Sequence, residues 1–178
     1  DRVQCGYHGL EFDTTGTCVS VPGQSKVPPG AAIHAFPVVE RYRYIWIWPG
    51  DPAMADEALI PDYHWNDDPD WISNTGYFYV EGNHQLLVDN LLALSHVQFV
   101  HASTLGADGV TDAPLDTRRD GDRIRIDRWI MDKPPPPMFA KARDFPANVD
   151  RWQLISWTAP SHVVIDAGCA DADTGARD

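Results

Sequence analysis

Cysteine is scarce in this chain of 178 residues: only Cys5, Cys18 and Cys169 are present. Three cysteines make no disulfide framework, so a reducing cytoplasm is the simplest compartment. Positive charge is also short. Lys and Arg number 14 against 26 Asp and Glu, and the formal net charge is −12. Such a balance argues against nucleic acid or an anionic membrane as a partner. No apolar run is long enough to span a bilayer, no signal-peptide pattern is present, and no internal repeat is visible. What the chain does have is a 43% apolar share with seven Trp, enough for a real core. Its length suits one domain or two small ones.

The stretch Asp89-Asn90-Leu91-Leu92-Ala93-Leu94-Ser95-His96-Val97-Gln98-Phe99-Val100-His101 reads as a helix carrying two histidines. Asn83 to Val88 before it offers capping polar residues and apolar residues at helical spacing. His96 and His101 are five apart, so on a regular helix they diverge by about 140°. Both can reach one metal only if the helix ends or bulges between them. Two neutral imidazoles suit iron, zinc or copper. The plainer reading is a buried helix with one capping and one core histidine.

The rest of the chain reads as short strands. Residues 1 to about 48 look all-β, with strands near Phe36 to Val39 and Tyr44 to Trp48 around a tight turn at Glu40 to Arg43. The breaker-rich, acidic segment from Pro49 to Asp62 is the expected boundary, giving domains 1–50 and 51–178. Trp71 to Val80 reads as a strand pair. After the histidines, Leu105 to Pro114 is a polar loop. Leu115–Arg119 and Asp122–Met131 read as a hairpin turning at Asp120-Gly121. The run Lys133 to Met138 contains four prolines, which lack backbone donors, and is expected to be irregular. Trp152–Thr158 and His162–Ala167 are two more strands. Strands packed with one helix predict an α+β domain with an antiparallel sheet.

Near the start, Cys5-Gly6-Tyr7-His8-Gly9 sets Cys5 and His8 three apart in a glycine-bearing loop, where both can ligate a metal. With Gly16, Pro22-Gly23-Gln24 and Tyr44-Ile45-Trp46-Ile47-Trp48-Pro49-Gly50-Asp51 following in order, this resembles the second half of a Rieske [2Fe-2S] domain. The histidine segment resembles the mononuclear iron helix of Rieske non-haem iron oxygenases. Asp89-Asn90-Leu91-Leu92, Leu94-Ser95-His96, Val100-His101-Ala102-Ser103 and Asp150-Arg151-Trp152-Gln153 resemble the vanillate O-demethylase oxygenase and dicamba-demethylase group.

The resemblance implies a partial all-β Rieske domain followed by a helix-grip catalytic domain. It implies Cys5 and His8 as cluster ligands, and His96 and His101 as ligands of a mononuclear Fe(II). It places Asn90 as an outer neighbour of the iron. It implies O₂ as cosubstrate and electrons drawn ultimately from NAD(P)H through a flavin or ferredoxin reductase. The substrate class is a small methoxylated aromatic acid, cleaved to a phenol and formaldehyde, and the working unit is a homotrimer. Ser161, Val163 and Ile165 are expected pocket positions if their strand faces the iron; Val163 and Ile165 could equally be plain core.

The family's C-x-H cluster pair and its distant third iron ligand, a carboxylate, are both missing, so an internal piece of a longer polypeptide is expected. One position departs from the pattern. The family has an aspartate three residues before the first histidine ligand, bridging to a cluster histidine of the neighbouring subunit; here Ala93 stands there. Two competing readings are a Rieske electron-transfer protein without oxygen chemistry, and another Rieske oxygenase such as a ring hydroxylase.

Overall fold

A computed structural model describes residues 1–174. The chain forms two compact units, Asp1–Tyr77 and Phe78–Asp178. In the first, residues 1–48 carry strands only, as expected, and three short 3₁₀ helices follow at Pro52–Met54, Glu57–Leu59 and His64–Asn66. Strands β1 (Val3–Gln4), β2 (Glu11–Phe12) and β3 (Cys18–Ser20) form one antiparallel sheet, and β4 (Val38–Arg41) and β5 (Tyr44–Ile47) a separate hairpin. Phe12 and Cys18 pair across β2 and β3 and are buried. The β2–β3 turn is closed by Asp13, whose Oδ1 accepts from the amides of Thr15 and Thr17 and from the Thr15 hydroxyl. Gly16 in that turn has φ +84°, and a Cβ there would lie 2.4 Å from the Ile33 carbonyl oxygen. Glycine is required on both counts.

The β4–β5 turn uses two left-handed residues, Tyr42 (φ 58°) and Arg43 (φ 63°), as a two-residue hairpin turn of primed type demands. Neither is glycine. Side-chain and carbonyl contacts offset that strain: Arg43 donates to Asp67 and to Ser73, Asn66 donates to the Tyr42 carbonyl, and Arg41 pairs with Glu57. Trp46 stacks on Tyr63 at 6.0 Å, and Tyr63 meets Trp65 edge-on. These contacts tie residues 51–73 to the hairpin. They explain why the units divide between Tyr77 and Phe78 rather than near residue 50, where breakers alone suggested a boundary. Tyr44 in β5 is exposed. The expected strand pair over Trp71 to Val80 does not form. Ile72 is fully exposed, and Tyr77, Phe78 and Tyr79 are exposed too. An isolated run lacks the ladder partner that would satisfy its amides and carbonyls.

The second unit is built on a four-stranded antiparallel sheet in the order β6 (Leu115–Asp120), β7 (Arg123–Lys133), β8 (Val149–Thr158), β9 (His162–Asp171). The β6–β7 turn at Gly121 (φ +60°) falls as the sequence predicts. Strand alternation and register assign the faces. Ile130, Arg128, Ile126, Arg151, Gln153, Ile155, Trp157, Val163 and Ile165 share one face; Trp129, Trp152, Leu154 and Asp166 share the other. On the second face Gly168 lies against Trp152, where a Cβ would come 2.2 Å from the indole, and the indole N–H donates to Asp166. The core comprises Val88, Val97, Val110, Ile130, Val149, Trp152, Leu154 and Ile155. Each full burial of such a side chain contributes roughly 1.5–3 kcal/mol.

Two helices, α1 (His84–Leu92) and α2 (Val97–Val100), carry the histidine segment, and α1 packs on β8. A third, α3 (Pro137–Ala142), starts inside the proline run. Pro137 stands at its first position, where no backbone donor is needed, so the run ends in a helix instead of continuing irregular. Among the described residues no helix is long and apolar enough to cross a membrane. The α+β reading of this unit agrees with the structure.

Candidate metal centres

Residues 5–9 form the loop between β1 and β2. Its ends are clamped together: the Cys5 amide donates to the Leu10 carbonyl (2.8 Å), and the Gly9 amide to the Cys5 carbonyl (2.9 Å). Gly9 sits at φ +75°, and a Cβ there would touch Pro22 Cγ at 3.0 Å. The clamp leaves Cys5, Tyr7 and His8 exposed at the tip, with the Tyr7 and His8 rings 3.9 Å apart. The backbone amides of His8 and then Tyr7 point at the Cys5 sulfur and hold its thiol below the usual range. A thiolate-favouring cysteine beside an outward imidazole fits half the ligand set of a Rieske cluster. Cys18 is buried in β3, where its thiol donates to the Ser20 carbonyl, so it takes no part in this loop. Trp48 turns its indole N–H to the Asp51 carbonyl.

In the second unit, Asn83 caps α1 by accepting from the Gln85 amide (2.9 Å). The helix does not run on to His101. It stops at Ala93 (φ −98°, ψ 70°), a single 3₁₀ turn covers Leu94–His96, and α2 follows, with His101 as its C-cap. The two histidines therefore flank one short turn, and their ring centroids lie 5.4 Å apart. The break supplies the condition that helical spacing alone left open. His96 Nδ1 lies 2.7 Å from the Ala93 carbonyl oxygen. That carbonyl can only accept, so in a neutral imidazole Nδ1 is the donor and Nε2 is the nitrogen presented to a metal. Such an outer hydrogen bond is the usual way a ligating imidazole is oriented. The Ala93 side chain can accept nothing, but its main chain does. Asp89, one turn earlier, accepts from Gln85 Nε2 and so faces back along α1. Asn90 is exposed on α1.

The segment after His101 is pinned from several sides. The Gly106 amide donates to the His101 carbonyl (2.8 Å), the Met138 amide to the Thr104 carbonyl (3.0 Å), and Arg151 Nη2 to the Leu105 carbonyl (2.7 Å). Gln98 Oε1 accepts from Thr111. Gly106 and Arg151 were missed as site-positioning residues. A glycine five after the second histidine was the available signal, and Arg151 stood in a motif quoted only for its resemblance.

Val163 and Ile165 lie in β9 on the same sheet face as Arg151, and Ser161 lies in the turn before it. His64 pairs with Asp62 and His34 packs beside Phe36. Asp68 accepts from the Asp70 amide and Asp67 from Arg43, so the acidic run Asp67 to Asp70 is a turn. Among the described residues no group of three or more His, Cys, Asp or Glu gathers around one point. Each candidate centre thus presents two side chains able to ligate a metal, Cys5 with His8 and His96 with His101.

The family described as vanillate O-demethylase oxygenase C-terminal domain matches residues 80–178, and the Rieske [2Fe-2S] domain matches residues 1–37. The chain is 40% identical over 179 residues to the iron-sulfur subunit of a toluene-4-sulfonate monooxygenase system from Comamonas testosteroni, covering 99% of this chain and 52% of that protein. It is 41% identical over 184 residues to a vanillate O-demethylase oxygenase subunit from a Pseudomonas species, covering 99% and 55%. A crystal structure of dicamba monooxygenase bound to 3,6-dichlorosalicylic acid superposes with a TM-score of 0.89 at 38% identity, covering 97% of this chain and 52% of that one. The chain spans about half the length of the curated relatives it matches.

Proposed function

The chain belongs to the vanillate O-demethylase oxygenase family of Rieske non-haem iron oxygenases, and on that premise we propose that it serves in the oxygenase component of an aromatic O-demethylase. The substrate is a small methoxylated aromatic acid. One atom of O₂ enters a methyl C–H bond, the other leaves as water with two electrons and two protons, and the resulting hemiacetal collapses to a phenol and formaldehyde. The electrons come from NAD(P)H through a separate reductase, in keeping with relatives named as oxygenase subunits and components. When bound, a [2Fe-2S] cluster supplies single electrons, and an iron held by two histidines and a carboxylate supplies open positions for dioxygen.

The observation that carries this reading is the broken helix, which brings His96 and His101 to 5.4 Å with Nε2 of His96 left free. His96 and His101 hold the mononuclear iron, and Cys5 and His8 hold one half of the cluster. Asn90 stands as an outer polar neighbour on α1. Ser161, Val163 and Ile165 form a wall for the aromatic ring at the start of β9. Ala93 holds His96 through its carbonyl, while its methyl side chain leaves the family's carboxylate bridge unmade. The working unit is a trimer in the cytoplasm.

The full chain is tested with vanillate, NADH and a reductase, with formaldehyde as the readout. His96→Ala and His101→Ala should each remove the mononuclear iron and leave the cluster's visible and EPR signals. Cys5→Ser or His8→Ala should abolish those signals. Iron content unchanged in both histidine variants would refute the ligand assignment.

A further inference from the structure

Seven buried side-chain polar atoms find no hydrogen-bond partner among the described residues, and six of them lie on one sheet face. They are Nε and Nη1 of Arg128, Nε and Nη1 of Arg151, Oε1 of Gln153 and Nε1 of Trp157. Register brings them together: Gln153 is the direct partner of Arg128, and Arg151 is the next residue along that face. Arg128 is 5% exposed and Arg151 2%. Arg151 Nη2 holds the Leu105 carbonyl, so this is the face below the segment that carries His96 and His101.

Five of the six atoms are donors, on two permanently charged groups and one indole. A guanidinium cannot shed its proton to escape burial as a lysine can. An unpaired buried charge is strongly unfavourable, so the set calls for an anionic acceptor. Among the described residues the neighbouring carboxylates are engaged elsewhere: Asp171, on the same face beyond Cys169, accepts from Arg143. Asp127 and Asp150 project to the opposite face by strand alternation; there Asp127 pairs with Arg118, and Asp150 accepts from the amides of Asp132 and Asp173.

We propose that Arg128 and Arg151 form an oxyanion site that takes a carboxylate or a sulfonate through charge-assisted guanidinium hydrogen bonds. Two sources offer this chemistry: a small aromatic acid, or a carboxylate of the polypeptide itself. The first source rests on the demethylase reading above. It also fits the face, where Trp157, Ile126 and Val163 are half-buried and offer apolar contact to a ring beside the arginines. Next to Arg128, Leu115 of β6 is exposed, so the face is open along that strand.

The test uses the full chain with its metals, unreduced so that no turnover intervenes. Benzoate is titrated by calorimetry, with methyl benzoate as the neutral probe, against wild type, Arg128→Met and Arg128→Lys. Loss of a charge-assisted bond should raise the benzoate Kd about 10–100-fold in Arg128→Met. Methyl benzoate binding should not change, and Arg128→Lys should recover part of the loss; this outcome assigns the site to a small acid. If benzoate affinity does not depend on residue 128, yet Arg128→Met melts lower and Arg128→Lys does not, the oxyanion is a polypeptide carboxylate and the site stands with that source. The proposal is overturned if benzoate affinity is indifferent and Arg128→Met melts at or above wild type. It is equally overturned if affinity is indifferent and both variants melt lower alike, since packing alone then explains the loss. Because binding is read without turnover, failure to release formaldehyde from vanillate refutes only the demethylase reading.

Discussion

Gly106→Ala isolates the packing that positions His101. Gly106 is buried, and a Cβ there would lie 2.6 Å from Ala102 Cα, 2.8 Å from the Val97 carbonyl oxygen and 2.9 Å from the Ala102 amide nitrogen. All three are backbone atoms, so no rotamer change relieves the overlap. The loop must move, and with it the Gly106 amide that donates to the His101 carbonyl and the Leu105 carbonyl that Arg151 holds. Overpacking of this kind costs about 1–3 kcal/mol, and a stretched backbone bond adds about 1 kcal/mol. In the full chain a loss of about 2–4 kcal/mol should lower the melting temperature by roughly 5–10 °C. Displacing the His101 backbone should also weaken mononuclear iron binding, by about tenfold if it matches the loss of an outer-shell partner. The assay is thermal melting together with iron per cluster after gel filtration. Gly82→Ala is the control, because a Cβ there meets only Val80 Cγ1 at 3.9 Å. It should change stability by less than about 0.5 kcal/mol. A Gly106→Ala protein that melts like the control and keeps its full iron would refute the claim that this loop's packing sets His101, the second candidate ligand.

Four further outcomes are expected. Asp150→Ala should destabilise by about 2–4 kcal/mol in denaturant melts, because it leaves the Asp132 and Asp173 amides without their charged acceptor; a loss under 1 kcal/mol would show those bonds to be replaceable by water. Gly168→Ala should displace the Trp152 indole and break its bond to Asp166, seen as a shift in tryptophan fluorescence and a lower melting point. Backbone amides lower the Cys5 thiol and burial raises that of Cys169. A lowered pKa means more thiolate at a given pH, so in cluster-free protein iodoacetamide should label Cys5 first, and Cys169 should react only as pH rises further; equal labelling at neutral pH would contradict this. Ala93→Asp should speed single-turnover reoxidation of the reduced cluster if a carboxylate there bridges the centres, whereas an unchanged rate would mean that the Ala93 carbonyl's hold on His96 already suffices.

Much of the candidate site was legible in one dimension because potential ligands are recognised by side-chain chemistry, which the sequence states directly. Cys5 with His8, and His96 with His101, are recognisable from residue type and order. The hairpins at Tyr42-Arg43 and Gly121 and the strands β8 and β9 were legible too, since turn chemistry and apolar alternation act within a few residues. Whether His96 and His101 could share a metal was not legible. Five residues apart they diverge on a regular helix, and only the break at Ala93 and the cap at His101 bring the rings together. The run Trp71 to Val80 has strand composition, but strand formation depends on a partner that no local pattern encodes. The unit boundary moved for a similar reason: Arg41, Arg43 and Tyr63 hold residues 51–73 to a hairpin earlier in the chain. The buried pair Arg128 and Arg151 is likewise a product of register, which sets residues far apart in sequence on one face. Residue identity determined which groups could bind metal, donate or accept; long-range pairing and packing decided which of them meet, because those contacts depend on distances that sequence spacing does not contain.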